Sequence, residues 1–527
     1  VFHQQTQAPT YWTTSFRVTR PDIDYLFAQF LENETPLTSH ELALSLVRFR
    51  LASEDDRLRK LIARGEIFEP RKPYQIGQEI IFPALDFAAG KVVRQRPGFN
   101  PEAGEFTVIE VDFGGKQRRE FASSLSIPHA LNRDPNGGHA LLELPPQNPE
   151  QIMARYGEMI IEELEARLVE EDDAIFVDGR WFLKSLLPEV NIGHLHLAEA
   201  ILDLAEGGPL ETADIMEQIG LEPNLPPLLR AFALNVALSQ DDRFDNVGPA
   251  GRTLWFLRRL EPQEVTRIPP RLEYRPEPYN PEALTDELRA LEAELGDEFS
   301  PLEPPETPPE AVTLTLIYPH RRMGTLPMNA SVEQMFPTSD ESARVRVTLM
   351  DGQSGDEFAG WVMREGRYVF GLSDFYRRYR LPIGAYVTIR ATDDPTRLVI
   401  DFSGHRPRTE YIRLAIPSAG RLKFENYKRS IGAVYDELLI LGAEDIDGVD
   451  EVWTQTQTRR RKLHELMIDL IPELARLNPQ NAVHAKTLYS ALNIIRRCPP
   501  GPIFAALAGR PEFEHVGGPY WRLKSER

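Results

Sequence analysis

The side chains best equipped for chemistry in this sequence are arginines set among aromatics. Arg377, Arg378 and Arg380 interleave with Phe375, Tyr376 and Tyr379. Guanidinium forks beside stacking faces suit contact with phosphate and bases. On a helix, Arg377 and Arg380 share one face and Phe375 and Tyr379 another, so one face can anchor a core while the other meets a polyanion. Arg321 and Arg322 add charge upstream, and Arg344 and Arg346, two apart on a strand, must point the same way. Arg421, Lys423, Lys428 and Arg429 follow, and then the run Arg459, Arg460, Arg461 and Lys462. A solvated surface balancing nearby acids explains any one cluster as well; the set points to nucleic acid.

Catalytic constellations are not visible. The chain has no GxSxG, no HExxH, no GxxxxGK followed by Ser or Thr, and no GxGxxG after a strand. Its 11 histidines are scattered. His194 and His196 lie two apart at the start of a helical pattern and point to different faces, which suits capping or a surface role better than a shared metal. Glu170, Glu171, Asp172 and Asp173 are consecutive, as at a solvated helix end. The single cysteine, Cys498, precedes Pro499 and Pro500 with no histidine nearby, so it reads as structural. We expect no enzyme, no cofactor and no metal.

Charge restricts where a polyanion can bind. The 527 residues hold 60 Lys and Arg against 80 Asp and Glu, a net charge of −20. Such a field argues against indiscriminate coating of nucleic acid. Residues 311–430 are the exception, with 18 basic and 13 acidic residues, whereas 281–310 hold ten acids and only Arg289 as a base. One cysteine excludes an intramolecular disulfide framework and fits a reducing compartment. No run of about 18 apolar residues is present, and the opening 1–14 stretch lacks the apolar core of a signal peptide. The expectation is a soluble, cytoplasmic protein without membrane contact, compatible with the nucleoid, of three or four domains at about 150 residues each.

The elements that must position these residues follow from periodicity. The 44 prolines exceed the roughly 5% usual in proteins and concentrate at 261–281 and 301–309. We read 259–310 as a Pro-rich acidic linker, with a short amphipathic helix at 282–295 carried by Leu284, Leu288, Leu291 and Leu295. Three stretches end alike, in a strand, a Gly-containing turn and a strand bearing tryptophan: 174–183 with Trp181, 241–257 with Trp255, and 511–523 with Trp521. Helical patterns precede the second and third. The opening part has similar grammar, with a Thr38/Ser39 cap ahead of Glu41 and a third helix at 54–63. The pattern then switches to period two at 78–111, as in a small barrel. It is β again from 312 to 415, around a helical piece at 373–380.

The segments GGPLETADIMEQI and LSQDDRFDNVGPAGRTLWFLRRLEP resemble the winged-helix module of the bacterial RNA polymerase delta subunit and the wider HARE-HTH family. The resemblance covers 194–258 and 461–525; the repeated hairpins themselves read as wings, with Trp181, Trp255 and Trp521 as wing aromatics. More weakly, GWVMREGRYVFGLSDFYRRYRLPIGAYVTI resembles the DNA-binding pseudobarrel of plant transcription factors. Residues 372–375 and 381–384 stand in that family's motif places, while Ala385 replaces its usual acid.

The expected architecture is multidomain α+β, with repeated winged-helix domains, a small β-barrel after the first, and a β pseudobarrel in the C-terminal half. The divisions are a winged-helix-like unit at 15–70, a barrel at 71–125, a helix plus wing-like hairpin at 150–190, a winged helix at 194–258, the linker, a barrel-like domain at 311–430, and a winged helix at 461–525. The helices at 225–239 and 501–508 lack the charge that phosphate contact requires. We therefore expect a non-enzymatic, prokaryotic, transcription- or chromosome-associated protein. Duplex DNA would be met by 311–430 and by 459–462, and RNA polymerase or another protein by the winged helices. The alternatives are a scaffold that never touches nucleic acid and the specificity subunit of a nucleic-acid enzyme.

Overall fold

A short strand that runs straight into a helix is the recurring local element. The computed structural model describes residues 5–62, 65–85, 87–114, 117–129, 131–132, 147–339 and 342–524. Within them Leu37–Thr38 leads into Ser39–Ile62, Leu210–Glu211 into Thr212–Ile219, and Val483–His484 into Ala485–Ile495. A further helix and a two-stranded hairpin follow each time. The short strand always pairs antiparallel with the hairpin's second strand, so the three-stranded sheets run first, third, second. The tryptophans share one register position: Trp181 lies opposite Leu37, Trp255 opposite Leu210, and Trp521 opposite Val483.

The first copy corrects the separation of 15–70 from 150–190. Ser39–Ile62 contains neither Gly nor Pro, so nothing breaks the helix before residue 54 and it continues for 24 residues. Its start carries the expected reciprocal cap: Glu41 N–H donates to Thr38 Oγ1 at 3.2 Å, and Thr38 N–H to the Glu41 carboxylate at 2.8 Å. The third helix is instead Pro149–Val169, and the hairpin is Ala174–Val177 with Arg180–Leu183. Between second and third helices sits a five-stranded sheet, from Glu66–Ile67 to Arg118–Ser123, whose strands pair in chain order. Phe68, Tyr74, Phe82, Ile109 and Val111 form its core. Its end returns toward its start, where Ser124 and Leu125 N–H donate to the Lys72 and Pro70 carbonyls at 3.1 and 2.9 Å. This copy and its insert belong to one unit, 1–189 with 222–233.

The other unit spans 190–221 and 234–527. The second copy buries Ala198, Leu202, Ile215, Leu234, Trp255 and Leu257 together. A nearly closed, barrel-like sheet of seven strands occupies 311–402, ordered Ala311–Thr315, Tyr386–Ala391, Arg397–Phe402, Arg344–Asp351, Glu357–Met363, Tyr368–Phe370 and Thr325–Pro327. Val347, Leu349, Tyr376, Val387 and Ile400 fill it. The expected 311–430 domain is divided after Phe402. Gly404–Ser418 and Arg421–Ala433 form a long hairpin in a separate sheet with Leu441–Ala443.

The 259–310 stretch is not a loose linker. Its prolines keep most of it irregular outside two short α-helices, yet Val265, Leu272, Leu284, Leu288 and Leu295 are buried, and the helix Asp286–Leu295 packs by its leucine stripe. The third copy lies at the centre of this unit. Every residue of Ala485–Ile495 is buried, and its polar side chains are satisfied. Thr487 and Ser490 hydroxyls donate to the Leu438 and Leu439 carbonyls, each at 2.7 Å, and Lys486 pairs with Asp436 and Glu294.

Candidate nucleic-acid interface

The arginines singled out by their aromatic neighbours prove to be largely committed. Arg321 is half-buried, donates to the Leu381 carbonyl at 2.8 Å and lies over the Tyr376 ring. Arg322 reaches Asp450 at 3.2 Å. Arg344 and Arg346 do point the same way, but toward the second copy. Arg344 bridges Asp245 at 2.8 Å and Glu261 at 2.9 Å, and Arg346 lies over the Phe256 and Trp361 rings, which themselves meet edge to face. Burial lowers the pKa of both Arg321 and Arg346. Burial, with the neighbouring Asp245, pushes Glu261 up to about 8.

The helix Ser373–Arg378 buries Phe375 and Tyr376 against the barrel, while Tyr379, expected to share the Phe375 face, is only half-buried. Its outer face is neutralised locally. Arg377 pairs with Asp374 at 3.0 Å, and Arg378 with Asp351 at 3.1 Å and Asp356 at 2.7 Å. Arg380 remains exposed. Residues 311–403 as a whole hold eleven bases and eleven acids.

The long hairpin carries the positive balance instead. Residues 404–433 hold seven Lys and Arg against Glu410 and Glu425. The ladder is unbroken from Arg408–Ile431 to Ser418–Arg421. Ala419 and Gly420 close it with φ of 49° and 75°, a turn that matches strand twist and favours glycine. Near the tip one face buries Ala415, Leu422 and Phe424; farther from the tip that face is open, and Tyr411 stands 66% exposed. Lys428 lies directly opposite, its Nζ 5.3 Å from the Tyr411 ring centroid. Tyr427 is exposed on the other face. Arg406, Arg408, Lys423 and Lys428 are exposed and make no ion pair among the described residues, while Arg429 pairs with Glu444 at 2.6 Å.

Two clusters remote in sequence meet at the hairpin tip. Arg421 and Arg461 share Asp469, at 3.1 and 2.7 Å, which seats the 459–462 run beside the turn. Arg459, Arg460 and Lys462 are exposed there without ion pairs among the described residues. Sequence reading passed over Arg406, Arg408, Tyr411 and Tyr427. A charge count taken separately over 404–430 would have found the two arginines, because the entire excess of 311–430 falls in it.

The remaining candidates are structural in place. Trp181, Trp255 and Trp521 are buried in their sheets. His194 accepts the Asn191 N–H at a helix start. Burial pushes the Cys498 thiol up to about 12. No described helix is long and apolar enough to cross a membrane. Comparison with protein-family models, curated proteins and solved structures finds no match for this chain.

Proposed function

We propose that this chain is a non-enzymatic, transcription- or chromosome-associated protein that contacts duplex DNA through the long hairpin and the adjoining 459–462 run. The observation that carries the reading is the concentration of unpaired cations and exposed tyrosines on Gly404–Ala433, in a chain that is otherwise strongly acidic. A two-stranded ribbon has the width to enter a major groove, and cations along it serve as phosphate contacts. The three repeated modules, in their resemblance to winged helices, supply framework and protein contact. The third buries its second helix throughout; RNA polymerase is the partner the delta-type resemblance implies for the second.

The test is anisotropy with a labelled duplex at low salt. Changing Arg406, Arg408, Lys423 and Lys428 together to alanine should lower affinity at least tenfold, since each is exposed and contributes little to folding. Alanine at Arg377, Arg378 and Arg380 should change affinity much less. Undiminished binding by the hairpin variant would refute the reading, and absence of any duplex binding would leave the scaffold alternative.

A further inference from the structure

A cleft of about 530 Å³ lies between the 270–277 stretch, the helix Ile446–Thr458 and residues 496–497. That volume is ordinary for small-molecule sites, which span about 300–1,000 Å³. Its walls are chemically mixed, and besides the groups below they include the carboxylates of Glu273, which is exposed, and Glu277, which Arg496 neutralises. Trp453, Pro270 and Pro276 provide flat apolar surface, and Arg275 and Arg460 provide exposed cations.

Trp453 is held in place from behind. The Arg271 guanidinium sits 4.8 Å from its ring centroid and 5.5 Å from that of Tyr318. Arg271 also donates to the Ile494 carbonyl at 3.2 Å and pairs with Asp450. A ring fixed this way loses little freedom when a ligand stacks on it.

The arginines divide into spent and available. Arg496 is bound to Glu277 at 2.5 Å and to the Arg461 carbonyl at 2.9 Å. Arg497 is bound to Asp297 at 2.6 Å and Glu298 at 2.7 Å. Arg460 makes no ion pair among the described residues, and Arg275 makes only a 3.8 Å contact to Glu273 while 78% exposed. Gln457 donates its amide N–H to the Ile495 carbonyl at 3.3 Å, which leaves its oxygen as an acceptor.

A fixed ring, an amide acceptor and two available cations in one cleft match the parts of a nucleotide. We propose that this cleft binds a nucleotide, with the base stacked on Trp453, an exocyclic amine on Gln457 and phosphate on Arg460 and Arg275. A free nucleotide and one within an unpaired strand present the same chemistry. The site uses no hairpin residue and shares only Arg460 with the run proposed for duplex contact.

The test is calorimetric titration of the full chain with ATP, adenosine, inorganic phosphate and a short single-stranded oligonucleotide. ATP should bind, and adenosine and phosphate, each lacking one half of the interaction, should bind at least about tenfold more weakly. Trp453→Leu and Arg460→Ala should each weaken ATP about tenfold. Arg460 is exposed, so its variant reports binding even where Trp453→Leu perturbs packing. The Arg406/Arg408 alanine pair should leave ATP binding unchanged, which separates this result from the duplex reading. An oligonucleotide that displaces ATP identifies a strand as the ligand; one that does not identifies the free nucleotide. No binding of ATP or oligonucleotide at millimolar concentration overturns the proposal, as does ATP binding indifferent to Arg460→Ala and matched by phosphate alone.

Discussion

Three tryptophans in one register position differ by a hydrogen bond. The Trp181 indole donates to Ser39 Oγ at 3.1 Å, and the Trp255 indole to Thr212 Oγ1 at 3.2 Å and Asn235 Oδ1 at 3.0 Å. Ser39 and Thr212 each open the helix after the short strand; Ala485 holds that place in the third copy, and the Trp521 indole nitrogen is buried without a hydrogen-bond partner among the described residues. Both Trp→Phe changes remove similar bulk, so their difference isolates the bond. Trp255→Phe should destabilise its unit by about 1–2 kcal/mol more than Trp521→Phe, read from urea midpoints. His484 offers a second residue-scale test. Its Nδ1 accepts the Lys486 N–H at 3.1 Å, and burial, aided by the Lys486 charge, lowers its pKa to about 4. A histidine depressed on folding stabilises fully above its unfolded value of about 6.5 and loses that contribution as pH falls toward 4. His484→Gln should therefore lose less stability than the native chain between pH 7 and pH 5 in parallel denaturation curves.

At the scale of elements, the Pro-rich strap is fastened by a buried ionic cluster. Arg497 meets Asp297 and Glu298, Glu298 meets His320 at 3.0 Å, and the Tyr489 hydroxyl donates to Asp297 at 2.6 Å. Burial pushes the Glu298 carboxyl up, but the Arg497 charge and the hydrogen bonds from Arg497 and His320 outweigh it and hold the group down at about 2. Arg497→Ala strands two carboxylates and should cost about 3–5 kcal/mol, measured as the fall in unfolding free energy. Little of this was legible in 259–310, where proline suggested a linker, because Arg497 and Tyr489 lie some 200 residues away. The helix in that stretch was legible, since its leucine spacing is local. The first copy was misread for the opposite reason: the pairing of Leu37 with Trp181 spans an inserted sheet, and no residue near either reports the other. Arginines among aromatics looked available for the same cause, as Asp351, Asp356, Asp245 and Glu261 reach them only through the fold.

At the scale of the molecule, a chain of net charge −20 can bind a polyanion only where screening isolates a basic face, and at physiological salt the screening length is about 8 Å. Four unpaired hairpin cations, with part of the 459–462 run, set the number of phosphates it can meet. Duplex affinity should fall with salt at a log-log slope of about −4 to −6, checked by titration across ionic strength. The enclosed third copy has a consequence of another kind. Its helices complete a core shared with Leu288, Tyr318, Phe424 and Val452, all of which leave the ribosome earlier. Arg497 follows its partner Asp297 by 200 residues. Until that late segment emerges, the earlier parts of this unit expose the apolar surface it will cover, so the core cannot close before its last-made segment is in place. A growing chain must keep that surface from associating with other chains for the time taken to synthesise those residues, about 10–40 s at the usual 5–20 residues per second.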